Sequence, residues 1–141
     1  MFESGAILLY LAHKAGALLP GEHRSRLEAT QWLFWQMAGL GPMMGQALHF
    51  RRFAPDPVPY AVDRYTAETA RLFRVLDGHL ASRPFIAGGD YSVADIACYP
   101  WIVLHDWAGQ SLGDFPDLRR WFETIRDRPA TERAYAIDYL S

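Results

Sequence analysis

Few residues in this sequence have the type and spacing that chemistry requires. Its five histidines, His13, His23, His49, His79 and His105, are scattered. They form no His-Glu-x-x-His pair, and no Cys-x-x-Cys is present to hold a metal or poise a redox thiol. Cys98 is the only cysteine, so no intrachain disulfide can form. It sits between Ala97 and Tyr99 in an apolar helical run, the setting of a small buried hydrophobe rather than a nucleophile. Gly109-Gln110-Ser111-Leu112-Gly113 matches Gly-x-Ser-x-Gly in letters, but no strand pattern precedes it, so it is no nucleophile elbow, and no phosphate-cradling loop occurs. Gly39-x-Gly41-Pro42 interrupts a helical pattern instead of following a strand, which argues against a dinucleotide site. Residue types alone therefore give no self-contained catalytic constellation and no metal centre.

A few positions remain of interest. Glu3-Ser4 precedes an apolar run, where Ser4 reads as an N-cap and Glu3 as a charge that complements the helix dipole. Met43, Met44, Gln46, His49 and Phe50 follow the Gly-Pro interruption, and helix packing is enough to explain them. His49 alone reads as a structural histidine, and the Arg51-Arg52 pair as a surface feature. Arg64 opens an amphipathic helix beside Tyr65, where most arginines are simply solvated. Ser92 and Asp95 form a Ser-x-x-Asp capping box, flanked by Tyr91 and Ile96 at the spacing of a hydrophobic staple; this pair is assigned to folding.

The elements that must carry these residues are all helical. Residues 4–15 form an apolar helix, with Leu8, Leu11 and Ala15 in one row and Gly16 as a stop. From Glu22 to about Arg52 runs a long helix, expected to kink rather than split at Gly39–Pro42. Three prolines in "FAPDPVPYA" make a loop. Residues 60–82 carry a 3.6-residue stripe of Val62, Tyr65, Thr69, Leu72, Phe73, Leu76 and Leu80. Behind the capping box lies a helix that is apolar on most faces and therefore central. Leu118, Trp121, Phe122 and Ile125 mark a further amphipathic helix, and Pro129 opens a last short one. No strand alternation is evident. The reading is an all-α bundle of five to six helices with one long kinked member.

Composition narrows the class. The chain has 141 residues, half of them apolar, and a formal net charge of −2. That balance offers no electrostatic case for nucleic acid or an anionic membrane. The apolar run near Met1 follows an acid, not a basic segment, and is too short to span a bilayer, so it reads as a helix and not as a signal peptide. The lone cysteine fits a cytoplasmic compartment.

"GDYSVADIACYPW" (residues 89–101) resembles the capping box of the central helix in glutathione S-transferase C-terminal domains. "QWLFWQMAGLGPMMGQALHF" (31–50) and "PYAVDRYTAETARLFRVLDGHL" (59–80) resemble the bacterial branch related to the yeast prion protein Ure2 and its disulfide-reductase relatives. "FPDLRRWFETIRDRPA" fits the penultimate helix. The resemblance covers essentially the whole chain. It implies that residues 1–16 are the last helix of a thioredoxin-like domain and that 17–141 are the all-helical C-terminal domain.

By that resemblance Glu3 and Ser4 hold the γ-glutamyl end of glutathione, and Arg64 reaches a carboxylate of glutathione or its disulfide. Met43, Met44, Gln46, His49 and Phe50 line the second-substrate pocket. Glutathione is then a substrate, no metal is required, and the full-length form is a homodimer. The thiol-activating residue of the family lies upstream of the last thioredoxin-like helix. The chain alone is accordingly expected to lack transfer or disulfide-reductase activity. The competing reading is a non-enzymatic helical module that uses this fold for protein association. It is motivated by the missing thioredoxin-like half and by an apolar first helix that needs a partner.

Overall fold

The computed structural model describes residues 1–137. Helix α1 (Ser4–Ala15) leads through a short turn to α2 (His23–Trp35), which continues through a π-turn (Gln36–Leu40) into α3 (Gly41–Leu48) and a second π-turn (His49–Phe53). There follow α4 (Pro59–Leu80), α5 (Val93–Val103), a 3₁₀ turn (Leu112–Asp114), α6 (Pro116–Arg126) and α7 (Pro129–Tyr135). The described residues contain no strand, only an isolated bridge between Phe85 and Gly88.

The long second helix is one interrupted element, as its sequence implies. Leu40, Gly41 and His49 all keep right-handed helical dihedrals. The interruption is a wider turn, in which the Gly41 N–H reaches the carbonyl of Gln36, five residues back. That widening accommodates Pro42, which has no N–H to donate and would crowd the preceding carbonyls of a regular helix. Gly41 is required for a second reason. A Cβ there would stand 3.1 Å from the Trp101 indole and 2.7 Å from Gln36 Nε2. The second π-turn, ending where Ala54 turns extended and donates to the His49 carbonyl, has no signal in the sequence.

Helix α5 is the axis of the bundle and packs against α1, α2, α3 and α6. Seven of its residues are buried, including Asp95 and Cys98. The main core gathers Leu40, Met44, Leu72, Phe73, Leu76, Cys98, Ile102, Leu118, Trp121 and Ile125. A smaller cluster of Ala12, Leu33, Val93 and Ala97 ties α1 to α2 and α5. The Val93 N–H also donates to the Leu18 carbonyl at 2.9 Å, pinning the turn after α1 to the start of α5.

Two expectations for α1 need correction. Its buried row is Gly5 and Ala12 with Leu8 and Leu9 half-buried, whereas Leu11 is 50% exposed and Ala15 is exposed. The helix packs on one side only, because α2 and α5 reach only that side. Ser4 is also not the cap: Glu3 occupies that position and Ser4 is the first helical residue. On α2, Leu27 and Phe34 likewise point outward, and Phe34 is 64% exposed. Phe2 and Leu11 at α1 and Leu27 and Phe34 on α2 are therefore left exposed among the described residues.

Candidate functional site

The start of α1 is built unlike an ordinary helix start. Glu3 has φ 66° and ψ 110°, a sparsely populated region for a residue with a side chain, held at a cost of about 1–3 kcal/mol. No side chain caps the helix and no acid lies in its first turn. The first intrahelical bond runs from the Ile7 N–H to the Glu3 carbonyl. The N–H groups of Ser4, Gly5 and Ala6 therefore have no helical acceptor. The Ser4 hydroxyl donates only to the Met37 sulfur at 3.6 Å, a weak acceptor that leaves the oxygen lone pairs free. Met37 lies in the first π-turn, so that turn forms the floor beside Ser4. Glu3, Gly5, Ala6, Leu9, Phe34 and Met37 border a hollow of about 290 Å³. Uncapped N–H groups and the positive end of the helix dipole suit this place to an anion.

A second group of candidates meets between α3 and α4. Arg64 borders a groove of about 700 Å³ with Met43, Tyr60, Asp63 and Arg71. Arg71 is engaged by Glu68 through two bonds of 2.8 and 2.7 Å, which hold the Glu68 carboxyl below its usual range. Arg64 has no such acceptor among the described residues. Phe50 stacks on Tyr65 with ring centroids 5.7 Å apart, and His49 meets Phe50 edge-on at 5.0 Å. Phe50 and Asp63 border an adjoining hollow.

The fold thus brings Met43 and Arg64 to one groove, with Phe50 in the adjoining hollow and His49 bordering neither. Gln46 is exposed on the same helix and borders neither hollow. Met44 has to be withdrawn from the pocket. It is 0% exposed within the main core, because its position on α3 faces α4 and α5. The groove at Arg64 and the hollow at Glu3-Ser4 share no bordering residue, so the described residues do not unite them.

The capping box forms as its spacing predicts. The Ser92 hydroxyl accepts from the Ala94 N–H, and Asp95 Oδ2 accepts from the Ser92 N–H at 2.9 Å. Two further donors were not legible in sequence. Asp95 Oδ1 accepts from the Ile86 N–H at 2.9 Å and from Trp121 Nε1 at 2.8 Å. Burial pushes the Asp95 carboxyl up, and its four donors oppose the shift. Asp77 on α4 was also missed: its Oδ1 accepts from the Asp117 and Leu118 N–H groups, both at 2.9 Å, and so caps α6 from another helix. Among the described residues no group of three His, Cys, Asp or Glu side chains could hold a metal ion. No described helix is long and apolar enough to cross a membrane.

Residues 40–129 match the glutathione S-transferase C-terminal domain. The chain belongs to the glutathione S-transferase family. Over 136 residues it is 52% identical to the disulfide-bond oxidoreductase YfcG of Escherichia coli K12, covering 95% of this chain and 62% of that protein. The fold superposes on a glutathione transferase from Burkholderia graminis, solved with two glutathione molecules per subunit, with a TM-score of 0.91 and 39% identity. That match covers 100% of this chain and 62% of the other. Ure2p in complex with S-hexylglutathione gives a TM-score of 0.88 at 36% identity over 95% of this chain and 68% of its own. These likenesses place the chain in the Ure2-like, disulfide-oxidoreductase branch. It spans under two thirds of the length of YfcG.

Proposed function

We propose that these residues form the helical part of a glutathione-dependent enzyme that transfers glutathione to an electrophile or reduces disulfides. In this reading residues 1–16 are the last helix of a thioredoxin-like domain, and 17–141 are the helical domain that completes the second-substrate side. The observation that carries the reading is the start of α1. Strained Glu3, an uncapped first turn and the Ser4 hydroxyl together offer a positive, hydrogen-bonding seat for the γ-glutamyl carboxylate, with Glu3 able to pair with the α-ammonium. The names and bound ligands of the relatives support glutathione or its disulfide as the molecule seated there.

Arg64 supplies a planar guanidinium for a second carboxylate, and Met43 in its groove with Phe50 in the adjoining hollow flanks the electrophile or disulfide, Gln46 and His49 standing outside both. The thiol needs a group that stabilises its thiolate. Cys98 cannot serve, since it is wholly buried and its own thiol is pushed well above its usual range by that burial. The 141-residue chain is therefore expected to bind glutathione weakly without turning it over. The exposed apolar residues of α1 and α2 support pairing with a thioredoxin-like domain and assembly as a homodimer, and the lone cysteine supports a cytoplasmic setting. A titration with glutathione disulfide, followed by tryptophan fluorescence, tests the reading. Ser4→Ala and Arg64→Ala are expected each to weaken binding several-fold, and undiminished affinity in both variants would overturn it.

A further inference from the structure

A second cleft lies away from both candidate regions, at the side of α7. It has a volume of about 350 Å³ and is bordered by Leu18, Tyr91, Ile96, Tyr99, Arg128 and Ala134, among others. The length of α1, about 18 Å, separates Ser4 from the helix end that precedes Leu18. The walls are aliphatic and aromatic, and the polar groups that reach them are few, which is the make-up of a small-molecule pocket and not of a plain packing seam.

Arg128 decides what such a molecule must carry. Its guanidinium lies over the face of the Tyr91 ring, 3.9 Å from the centroid. That contact uses the flat face of the cation and leaves its in-plane N–H edge for an acceptor. Among the described residues Arg128 is in no ion pair, and its Nε is buried without a hydrogen-bond partner. That Nε has no surface for a ligand to reach, so an anion in the cleft is taken by the terminal Nη groups of the same guanidinium. Tyr91 and Tyr99 add phenols to the same cleft. Burial raises both, Tyr99 to about 12, so they stay neutral O–H donors at physiological pH. A cation with a free planar edge, two neutral donors and apolar walls together match one chemical class.

We infer that this cleft binds a small monocarboxylate with an apolar body, its carboxylate on Arg128 and its body against Ile96, Tyr99 and Ala134. The inference does not depend on the glutathione reading, because the two regions share no residue. It adds to the chain a ligand site separate from the family's chemistry.

Calorimetric titration of the 141-residue chain with 4-phenylbutyrate, and in parallel with the neutral 4-phenylbutanol, tests it. The carboxylate is expected to bind one per chain, at least tenfold tighter than the alcohol. Arg128→Gln should bring the carboxylate down to the affinity of the alcohol while leaving the alcohol unchanged. Ala134→Phe, which fills the cleft from an exposed position on α7 and leaves Arg128 in place, should abolish both. Thermal melts of each variant confirm that α7 remains docked, and if Arg128→Gln unfolds, the Ala134→Phe result decides. Equal binding of acid and alcohol, undiminished binding in Ala134→Phe, no binding at millimolar ligand, or displacement of phenylbutyrate by glutathione would each overturn the assignment.

Discussion

Replacing Asp95 by alanine is the sharpest test of how this bundle is held together. The carboxylate accepts from the Ile86 and Ser92 backbone N–H groups, from Trp121 Nε1 and from the Ser92 hydroxyl, all at 2.8–3.0 Å. The hydroxyl can turn elsewhere, but the three N–H groups are fixed and buried. Each left without an acceptor costs about 1–3 kcal/mol. Against this, alanine relieves the burial of a carboxyl whose pKa the site already raises, so the sum is reduced. The net expectation is a loss of about 3–5 kcal/mol. Domains of this length have roughly 7–20 kcal/mol in total.

That loss corresponds to a melting temperature lower by roughly 10–15 °C. Urea unfolding followed by tryptophan fluorescence measures it directly. Asp95→Asn should lose about half as much, since its carbonyl still accepts while its amide faces donors. In a double-mutant cycle with Trp121→Phe, a coupling of about 1–2 kcal/mol is expected, because each single change breaks the same bond. A cost below about 1 kcal/mol for Asp95→Ala, or no coupling to Trp121, would show that the donors find water or other partners and would refute the reasoning.

Three further outcomes are expected. Asp77→Ala removes the one side-chain cap of α6 among the described residues, and by the usual value of a cap should cost about 1–2 kcal/mol in the same unfolding assay. His79 stays neutral in the fold: its Nε2 donates to the Ile86 carbonyl at 2.8 Å, Arg83 lies 3.0 Å from its ring nitrogens and Glu28 pairs with Arg83, and burial with Arg83 pushes its pKa down. A depressed histidine contributes stability above its unfolded pKa of about 6.5 that is lost as pH falls toward the folded value, so His79→Gln should flatten the decline in melting temperature between pH 7 and pH 5. Cys98, buried and with a raised pKa, should react with iodoacetamide at pH 8 only at the rate of global unfolding, and faster labelling would mean that α5 opens locally.

Much of this architecture could be read from periodicity and capping residues. The stripe on α4 is buried where expected, from Thr69 through Leu80, because a 3.6-residue repeat fixes which face of a helix can leave water. Ser92 and Asp95 announced the start of α5, since the capping box is a local motif whose partners lie within three residues. Pro129 opens α7 for the same local reason. The readings of Leu11 and Met44 turn on neighbours distant in sequence. Leu11 and Met44 are equally apolar, yet one is exposed and the other fully buried; the difference is whether a helix packs over them. Ser4 read as a cap because its type suits one, while the backbone placed Glu3 there instead.

The order and type of the helices, the central place of α5 and the membership of the glutathione S-transferase family were determined by the sequence itself, since each rests on short-range pattern or motif. Which side chains share a site was decided only by tertiary structure. Asp77 caps a helix forty residues away, Asp95 binds an indole from α6, and Arg128 lies on Tyr91 from the loop before α5. Nothing in local spacing encodes such pairings, because they arise when whole helices dock and bring remote donors and acceptors within hydrogen-bond or van der Waals reach. The same docking separates Arg64 from Glu3-Ser4, so the sequence named the pieces of the proposed glutathione site and the fold set where each one stands.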